Sequence, residues 1–385
     1  MQTNEQSHGR FVVYASEAGA KLDSNVITGG GTDDTAILQS ILDRAPELGG
    51  LHLVMDGAAL IRGLRIHSNT TIECLNKACG FYLADQSNCA VVRNYHRNFV
   101  ERVDENITLL GGTYNQNCKN QLHDRARVDE EGEDFRLLGT DDKCFGDNEW
   151  MMCFQFYGIT HLTVRDVTIR NQRTFSSLVA NFEHVVMENI IIDLPDKMYA
   201  QNQDGLHFWG PGRFLSLKNI SGDVGDDFIA LAPDEHDCVS NITDVLIDGV
   251  FLQEADQGIR MLSRGTGRLD RVTIKNVTGT YRSFGFYINP WFPGDTIGNF
   301  GNIVLDNIDM RPIEPVYDYT ESFLFRIGGK IDSLTLRNIS HIDPRDNRPL
   351  MQAGIPFYEA LQEGESAKYN HIRKLTIDGL NILEN

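Results

Sequence analysis

The phrase HLTVRDVTI (161–169) returns down the chain as HVVMENIII (184–192), FLSLKNISG (214–222), TDVLIDGVF (243–251) and DRVTIKNVT (270–278). It continues as GNIVLDNID (301–309), DSLTLRNIS (332–340) and RKLTIDGLN (373–381). ENITLLGGT (105–113) is an earlier copy and NTTIECLNK (69–77) a looser one. In each copy apolar and polar residues alternate and many are β-branched, the pattern of a short strand with one face in and one face out. The Asn or Asp markers at 166, 189, 219, 248, 276, 307 and 338 lie 23 to 31 residues apart. That interval suits one coil of a β-solenoid, with its short strands and their turns. Helical repeats of similar period would need long 3.6-periodic segments, and this region has none. The expected fold is all-β: a single-stranded right-handed parallel β-helix (solenoid) over about residues 50 to 382, in one domain spanning 1–385. Stacked coils hide their strand edges, which leaves only the two ends to be capped.

Residues 1–50 are read as an N-terminal segment and cap. In GTDDTAILQSILDRA (31–45), Thr32, Asp33 and Asp34 precede Ile37, Leu38, Ile41 and Leu42, which predicts an N-capped amphipathic helix near 33–44. Asp33 and Asp34 are read as capping groups rather than catalytic ones. Six Asn-x-Ser/Thr sequons, at Asn69, Asn106, Asn219, Asn241, Asn276 and Asn338, fall mostly on the repeated Asn. The repeat generates that match, and the expected role is a turn Asn bonding backbone along the stack. One departure, residues 114–149, is charged and aperiodic, and is read as a long inserted loop. Its expected place is over the side wall of the following coils, with a solvated excursion as the alternative.

Of the 385 residues, 41% are hydrophobic, ample for a continuous core. Lys+Arg 35 against Asp+Glu 54 gives a net charge of −19. Such a field repels nucleic acid and anionic membranes, so neither is an expected partner. An acidic sugar stays admissible, because a few arginines inside a cleft outweigh distant surface charge. Seven cysteines, an odd number without Cys-x-x-Cys spacing, point away from a zinc site and towards a reducing compartment. The start lacks a basic stretch followed by an apolar one, so no signal peptide is visible and the cytoplasm is the expected location, with a secreted or periplasmic one as the alternative if a leader has been removed. No run approaches 18 apolar residues, so no membrane span is expected. No phosphate-binding loop, dinucleotide phrase or Gly-x-Ser-x-Gly elbow occurs, and no cofactor or metal is expected. Assembly into a homo-oligomer is left open.

Two consecutive coils carry the chemistry. YAQNQDGLHFWGPG (199–212) is followed by SGDVGDDFIALAPDE (221–235), so Asp204 precedes Asp226 by 22 residues and Asp227 by 23, about one coil. Stacked strands rise by about 4.8 Å, which brings the three carboxylates to one patch. Clustered carboxylates need a proton, a metal or a cation, because uncompensated like charges are costly. One carboxyl can then stay protonated as an acid while its neighbours activate water. Inverting glycosidases use such a group, with acid and base roughly 6.5–9.5 Å apart to admit the water. Taken singly, Asp-Gly and Gly-Asp-Asp are ordinary turn chemistry; their pairing one coil apart favours a site.

These residues give the chain a family resemblance. The GTDDTAILQSIL start, the coil phrases, NQDGLHF and GDDFIAL resemble the polygalacturonase-type enzymes of glycoside hydrolase family 28. The architectural likeness spans nearly the whole chain; its specific part is residues 199–262. That family shows Asn-Thr-Asp, Asp-Asp, Gly-His-Gly and Arg-Ile-Lys on successive coils. The resemblance implies that Asp226 is the general acid and that Asp204 and Asp227 position and deprotonate water. Asn202 matches the family's asparagine, and Gln203 replaces its threonine. No Gly-His-Gly follows; the next coil reads EADQGIRMLSRGTG (254–267). By coil count, Gln257-Gly258 holds the histidine position. By residue pattern, Gly258 to Leu262 resembles Gly-Ile-Arg-Ile-Lys with its lysine lost.

Other groups are candidate contacts for an oligosaccharide or polysaccharide substrate. His207 follows Asp204 by three residues, with cleft and opposite wall equally open to it. Arg260 suits bidentate contact with a sugar oxygen or carboxylate, its rival being an ion pair with Asp256 or Glu254. Arg264 is a weaker candidate, and His236 reads as an exposed turn residue. Trp209, Tyr287 and Trp291 suit stacking on sugar faces or sealing of the solenoid side. The expected function is an inverting glycoside hydrolase acting on a pectin-like or other plant or microbial oligosaccharide. Two alternatives use the same fold: a calcium-dependent polysaccharide lyase with the aspartates as metal ligands, and a non-catalytic glycan-binding β-helix.

Overall fold

The structure is a computed structural model that describes residues 11–121, 152–197, 202–235, 239–264, 267–290, 298–314, 322–343, 349–353 and 370–382. Its strands join one all-parallel sheet wound as a right-handed β-helix. The repeated phrases stack rung upon rung. Leu162 pairs with Val185, Val185 with Leu215, Leu215 with Val245, Val245 with Val272 and Val272 with Ile303. Each of these points inward and is buried. The column beside it, Val164, Met187, Leu217, Ile247, Ile274 and Leu305, does the same. The core is therefore a set of aliphatic stacks one side chain wide, running the length of the solenoid.

The corners explain the Asn marker. Asp166, Asn189, Asn219, Asn276, Asn307 and Asn338 all have positive φ, between 49° and 59°. L residues pay about 1–2 kcal/mol in this left-handed region, and Asn, Asp and Gly tolerate it best. Asp248 was expected in the series, but the turn is made by its neighbour, Gly249, with φ 83°. A Cβ at Gly249 would lie 2.9 Å from Asn219 Oδ1, so glycine also fits the space.

The expected bonding to backbone is corrected as well: these side chains bond one another. Asn189 donates to Asp166 at 2.7 Å and Asn219 to Asn189 at 3.0 Å. Past the Gly249 corner, Asn276 donates to Asp248 at 2.6 Å and Asn307 to Asn276 at 2.8 Å. A side-chain amide carries both a donor and an acceptor, so each can accept from one coil and donate to another. Asn69 and Asn106 form a pair of the same kind on a different corner, 2.9 Å apart.

The N-terminal cap comprises helices Thr35–Leu42 and Ala45–Leu48, the first burying Leu38, Ile41 and Leu42. Strand Phe11–Tyr14 also pairs with Leu51–Met55, so part of the first 50 residues already belongs to the sheet. Asp34 stands at the N-cap position but makes no side-chain cap bond. Its carboxylate instead accepts the Lys21 and Leu22 N–H groups at 2.8 and 2.9 Å, tying down the preceding turn. Asp33 accepts the Thr35 N–H and pairs with Arg62. The start of the 114–149 insertion is regular: strand Thr113–Asn115 buries Tyr114, and a 3₁₀ turn spans Cys118–Asn120. The rest of that insertion lies outside the described residues.

Replacing Asn219 by Val removes the amide and forces a β-branched residue into the left-handed corner. Urea unfolding is expected to show a loss of about 2–3 kcal/mol. Asn219→Gly keeps the corner and loses only the side-chain bonds, for about 1 kcal/mol. Equal losses in the two variants would remove the left-handed corner from the account.

Candidate active site

The site lies on the outer face of the sheet formed by Leu64–Ile66, Val92–Asn94, the starts of three long strands, Asp227–Ala232, Gln257–Ser263 and Phe284–Pro290. Leu206 pairs with Ile229 and Ile229 with Ile259, while Leu206, Phe208, Ile229, Leu231, Ile259 and Met261 fill the core. The alternate residues point outward: His207 pairs with Ala230, Ala230 with Arg260 and Arg260 with Tyr287. Asp227, which pairs with Gln257, has the parity of the inward Ile229, but Phe228 and Ile229 both enter the core, so the alternation breaks there and Asp227 meets Arg260. Asp204 precedes its strand at a bend, one rung from Asp227. Gly205 is required there, because a Cβ would come within 2.2 Å of the Phe228 carbonyl oxygen on the adjoining rung. The bend breaks the alternation, so Asp204 and His207 face each other although three residues apart.

The three carboxylates converge as the coil spacing implies, but in a nearly closed site rather than an open groove. Asp204 and Asp227 are 1% and 2% exposed, whereas Asp226 is half-buried. One oxygen of each is tied. Asp204 Oδ2 lies 2.9 Å from His207 Nδ1, Asp227 Oδ2 accepts from Arg260 at 3.2 Å, and Asp226 Oδ2 accepts the Asn202 N–H at 2.8 Å. Among the described residues, the other oxygen of the two buried aspartates, Asp204 Oδ1 and Asp227 Oδ1, accepts no hydrogen bond, and neither does Gln257 Oε1. Buried acceptors in folded proteins are almost always satisfied, so these atoms suit hydroxyl groups of a ligand or water.

Burial pushes the Asp226 carboxyl up to about 7, with the charges of Asp204 and Asp256 adding to it. The Asn202 N–H and Arg260 hold it back from rising further. Burial raises Asp204 and carries Asp227 well above the usual carboxylate range, although each touches a cation that favours its ionised form, His207 and Arg260 respectively.

His207 joins the Asp204 side of the site and does not face the opposite wall. It is clasped between two carboxylates, with Nε2 2.7 Å from Glu235 Oε2, and its ring stacks on Phe175 at 4.4 Å. Burial alone would discharge the ring, but Glu235 and Asp204 overcome it and lift its pKa to about 10. Glu235 also accepts the Trp209 indole N–H at 2.6 Å. Sequence reasoning passed over Glu235, because nothing in APDEHDC ties it to a histidine 28 residues earlier. Arg282 and Lys197 were missed for the same reason. Arg282, fully buried, donates to the Gly225 carbonyl and to Glu254, and so braces the turn that carries Asp226. Lys197 reaches Glu254 and Asp223.

Among the remaining candidates, Arg260 pairs with Asp227 and lies 5.2 Å from the Tyr287 ring centre. Asn202 contributes its backbone N–H to Asp226. Gln257 adjoins Asp227 on the very next rung, the place that coil count assigns to the family's histidine. Arg264 donates to the Glu235 carbonyl, and its N–H to Asp234, so it braces the loop behind His207. Trp209 and Tyr287 are 3% and 1% exposed, and Trp209 belongs to an apolar cluster with Tyr157, Phe175 and Leu178. Both rings wall the site. Trp291 and His236 lie outside the described residues.

Because the folded pKa of His207 is raised, its stabilising charge is fully present below about 6.5 and is lost as pH rises through about 10. Glu235→Gln removes the largest of the charges that raise it. NMR titration of the His207 ring is expected to show deprotonation at clearly lower pH in this variant. An unchanged titration would mean that Glu235 does not hold the imidazolium.

No protein-family model matches the chain, and no curated protein matches it in sequence. Solved structures do. The family 28 exopolygalacturonase of Yersinia enterocolitica superposes with TM-score 0.63 at 13% identity, over 97% of this chain and 72% of that one. The polygalacturonase of Erwinia carotovora ssp. carotovora gives 0.58 at 14% identity, over 93% and 92%. A tailspike protein mutant of E. coli bacteriophage HK620, in complex with a hexasaccharide, gives 0.61 at 11% identity, over 86% and 57%. This chain thus shares the parallel β-helix fold of the family 28 polygalacturonases.

Proposed function

We propose that the chain is an inverting glycoside hydrolase acting on a pectin-like or other plant or microbial oligosaccharide. The observation that carries this reading is the division within one carboxylate cluster. Asp226 is partly exposed and holds its proton up to about pH 7. Asp204 and Asp227 are buried, each touching a cation and each keeping one oxygen without a partner among the described residues. Asp226 would protonate the departing glycosidic oxygen. Asp204 and Asp227, ionised beside His207 and Arg260, would orient and deprotonate the attacking water. Burial lifts Asp227 as well; the proton is assigned to Asp226 because Asp227 and Asp204 each touch a cation directly and Asp226 does not. Arg260, at the edge of the cluster and 20% exposed in its side chain, suits a sugar oxygen or carboxylate. The likeness in fold to proteins named polygalacturonases and to a saccharide-bound tailspike supports a carbohydrate substrate.

The working form of Asp226 is its protonated one, so kcat/KM should fall as pH rises through about 7, and it should fall again on the acid side as Asp204 and Asp227 take up protons. Asp226→Asn should abolish the alkaline limb and lower turnover about 10²–10⁴-fold with folding intact. A substrate with a good leaving group should restore part of this loss, but not the losses of Asp204→Asn or Asp227→Asn. The product should appear first with inverted anomeric configuration, which NMR reads directly. Near-normal rates in all three variants on a cleaved substrate would place the chemistry elsewhere. Exhaustive chelation should leave the rate unchanged; loss on chelation with recovery on added calcium would favour elimination by a lyase.

A further inference from the structure

Beyond the carboxylates on the same sheet, strand Phe323–Ile327 carries an arginine that the proposed chemistry does not use. Asp227 pairs with Gln257, Gln257 with Phe284 and Phe284 with Phe323. The two strands are thus three rungs of about 4.8 Å apart, or roughly 14 Å along the solenoid axis. Phe325 and Ile327 enter the core, and Arg326 between them points outward, continuing the column Ala230, Arg260, Tyr287. It is 5% exposed, with its guanidinium carbon 6.0 Å from the Phe284 ring centre. Its Nε is buried without a hydrogen-bond partner, and among the described residues no carboxylate pairs with it. Burial pulls its pKa below the ordinary arginine value, with the Tyr287 phenol acting the other way. Arg260 and Arg282, by contrast, stand against Asp227 and Glu254.

A buried cation without a counter-charge is costly, and buried charges in folded proteins are ordinarily paired. A guanidinium keeps its proton at any ordinary pH, so Arg326 cannot escape that cost by discharging, and an anion from a ligand relieves it. A second unsatisfied group stands on the adjoining strand. Asn289 is 4% exposed and donates its amide N–H to the hydroxyl of Tyr287, the register partner of Arg326, at 2.8 Å. Its Oδ1 is a buried acceptor with no hydrogen bond among the described residues. One group suits an anion and the other a hydroxyl, and a sugar acid carries both on one ring. The guanidinium fork takes a carboxylate through two parallel donors. The inference rests on the saccharide reading of the carboxylate site and deepens it. We propose that Arg326 forms a distal subsite that binds the carboxylate of a uronate unit in the bound saccharide. Roughly 14 Å from the Asp227 rung, it contributes to binding through a remote unit and takes no part in bond cleavage.

The test is calorimetric titration with a long oligogalacturonate and with its fully methyl-esterified form, in the Asp226→Asn background that slows turnover. With Arg326 in place, the acid should bind about tenfold or more tighter than the ester. Arg326→Met keeps the apolar stem and removes the charge. It should weaken binding of the acid about 10- to 100-fold and leave the ester within about twofold. Urea unfolding should find Arg326→Met no less stable than the parent, because the lost charge has no counter-charge in the fold. A less stable variant would mean that the chain itself holds Arg326, and would overturn the proposal. Equal losses on acid and ester, or failure of the unsubstituted position to bind the acid, would overturn it too. Hydrolysis of the oligogalacturonate by the parent, with full acid affinity in Arg326→Met, would keep the proposed function and remove the subsite. Acid binding that depends on Arg326, without hydrolysis by the parent, would keep the subsite and remove the function.

Discussion

Parallel ladder hydrogen bonds hold each coil in register with the one before it, and every side chain on the solenoid takes its place from that register. The register depends in turn on the corners, where the backbone must enter the left-handed region at the same point of each coil. Asn, Asp and Gly bear this at least cost, and the Asn and Asp side chains then bond one another from coil to coil. The corner residues thus explain the repeat, the repeat sets the aliphatic stacks, and the stacks fix which residues face outward.

The carboxylate site follows from the same constraint. Two successive rungs each end a bend with an aspartate, so ladder spacing alone crowds negative charge that water would keep apart. Burial then makes ionisation costly, and the cluster answers it in two ways. Cations stand against Asp204 and Asp227, while Asp226, nearer to solvent, keeps its proton to about 7. Outside this first circle a second one holds the charges in place. Glu235 clasps His207 from behind, and Arg282 braces the Asp226 turn through the Gly225 carbonyl. Packing thus gives three side chains that are chemically identical in water three different surroundings.

Much of this was legible in the sequence because a solenoid converts spacing along the chain into position in space. The 22- and 23-residue intervals from Asp204 to Asp226 and Asp227 placed three carboxylates together before any coordinate was known. What the spacing could not convey was local phase. The bend at Gly205 turns His207 back towards Asp204, against simple alternation, and the corner at 248–249 is taken by the glycine rather than the aspartate. Partners supplied by loops were equally hidden: Glu235 meets His207 across 28 residues with no motif to announce it. The aromatic residues were ambiguous for a different reason. Trp209 and Tyr287 suit sugar stacking and wall packing alike, and only their burial assigns them to the wall.

The proposed reaction of these aspartates is the addition of water across a glycosidic bond. Its most direct test is turnover of an oligogalacturonate in water enriched in heavy oxygen, with the products weighed at early times. Hydrolysis by this site predicts one heavy oxygen on the anomeric carbon of each new reducing end, and no incorporation at the leaving oxygen. An unsaturated product free of the label would mean that the bond is broken by elimination, and would contradict the account.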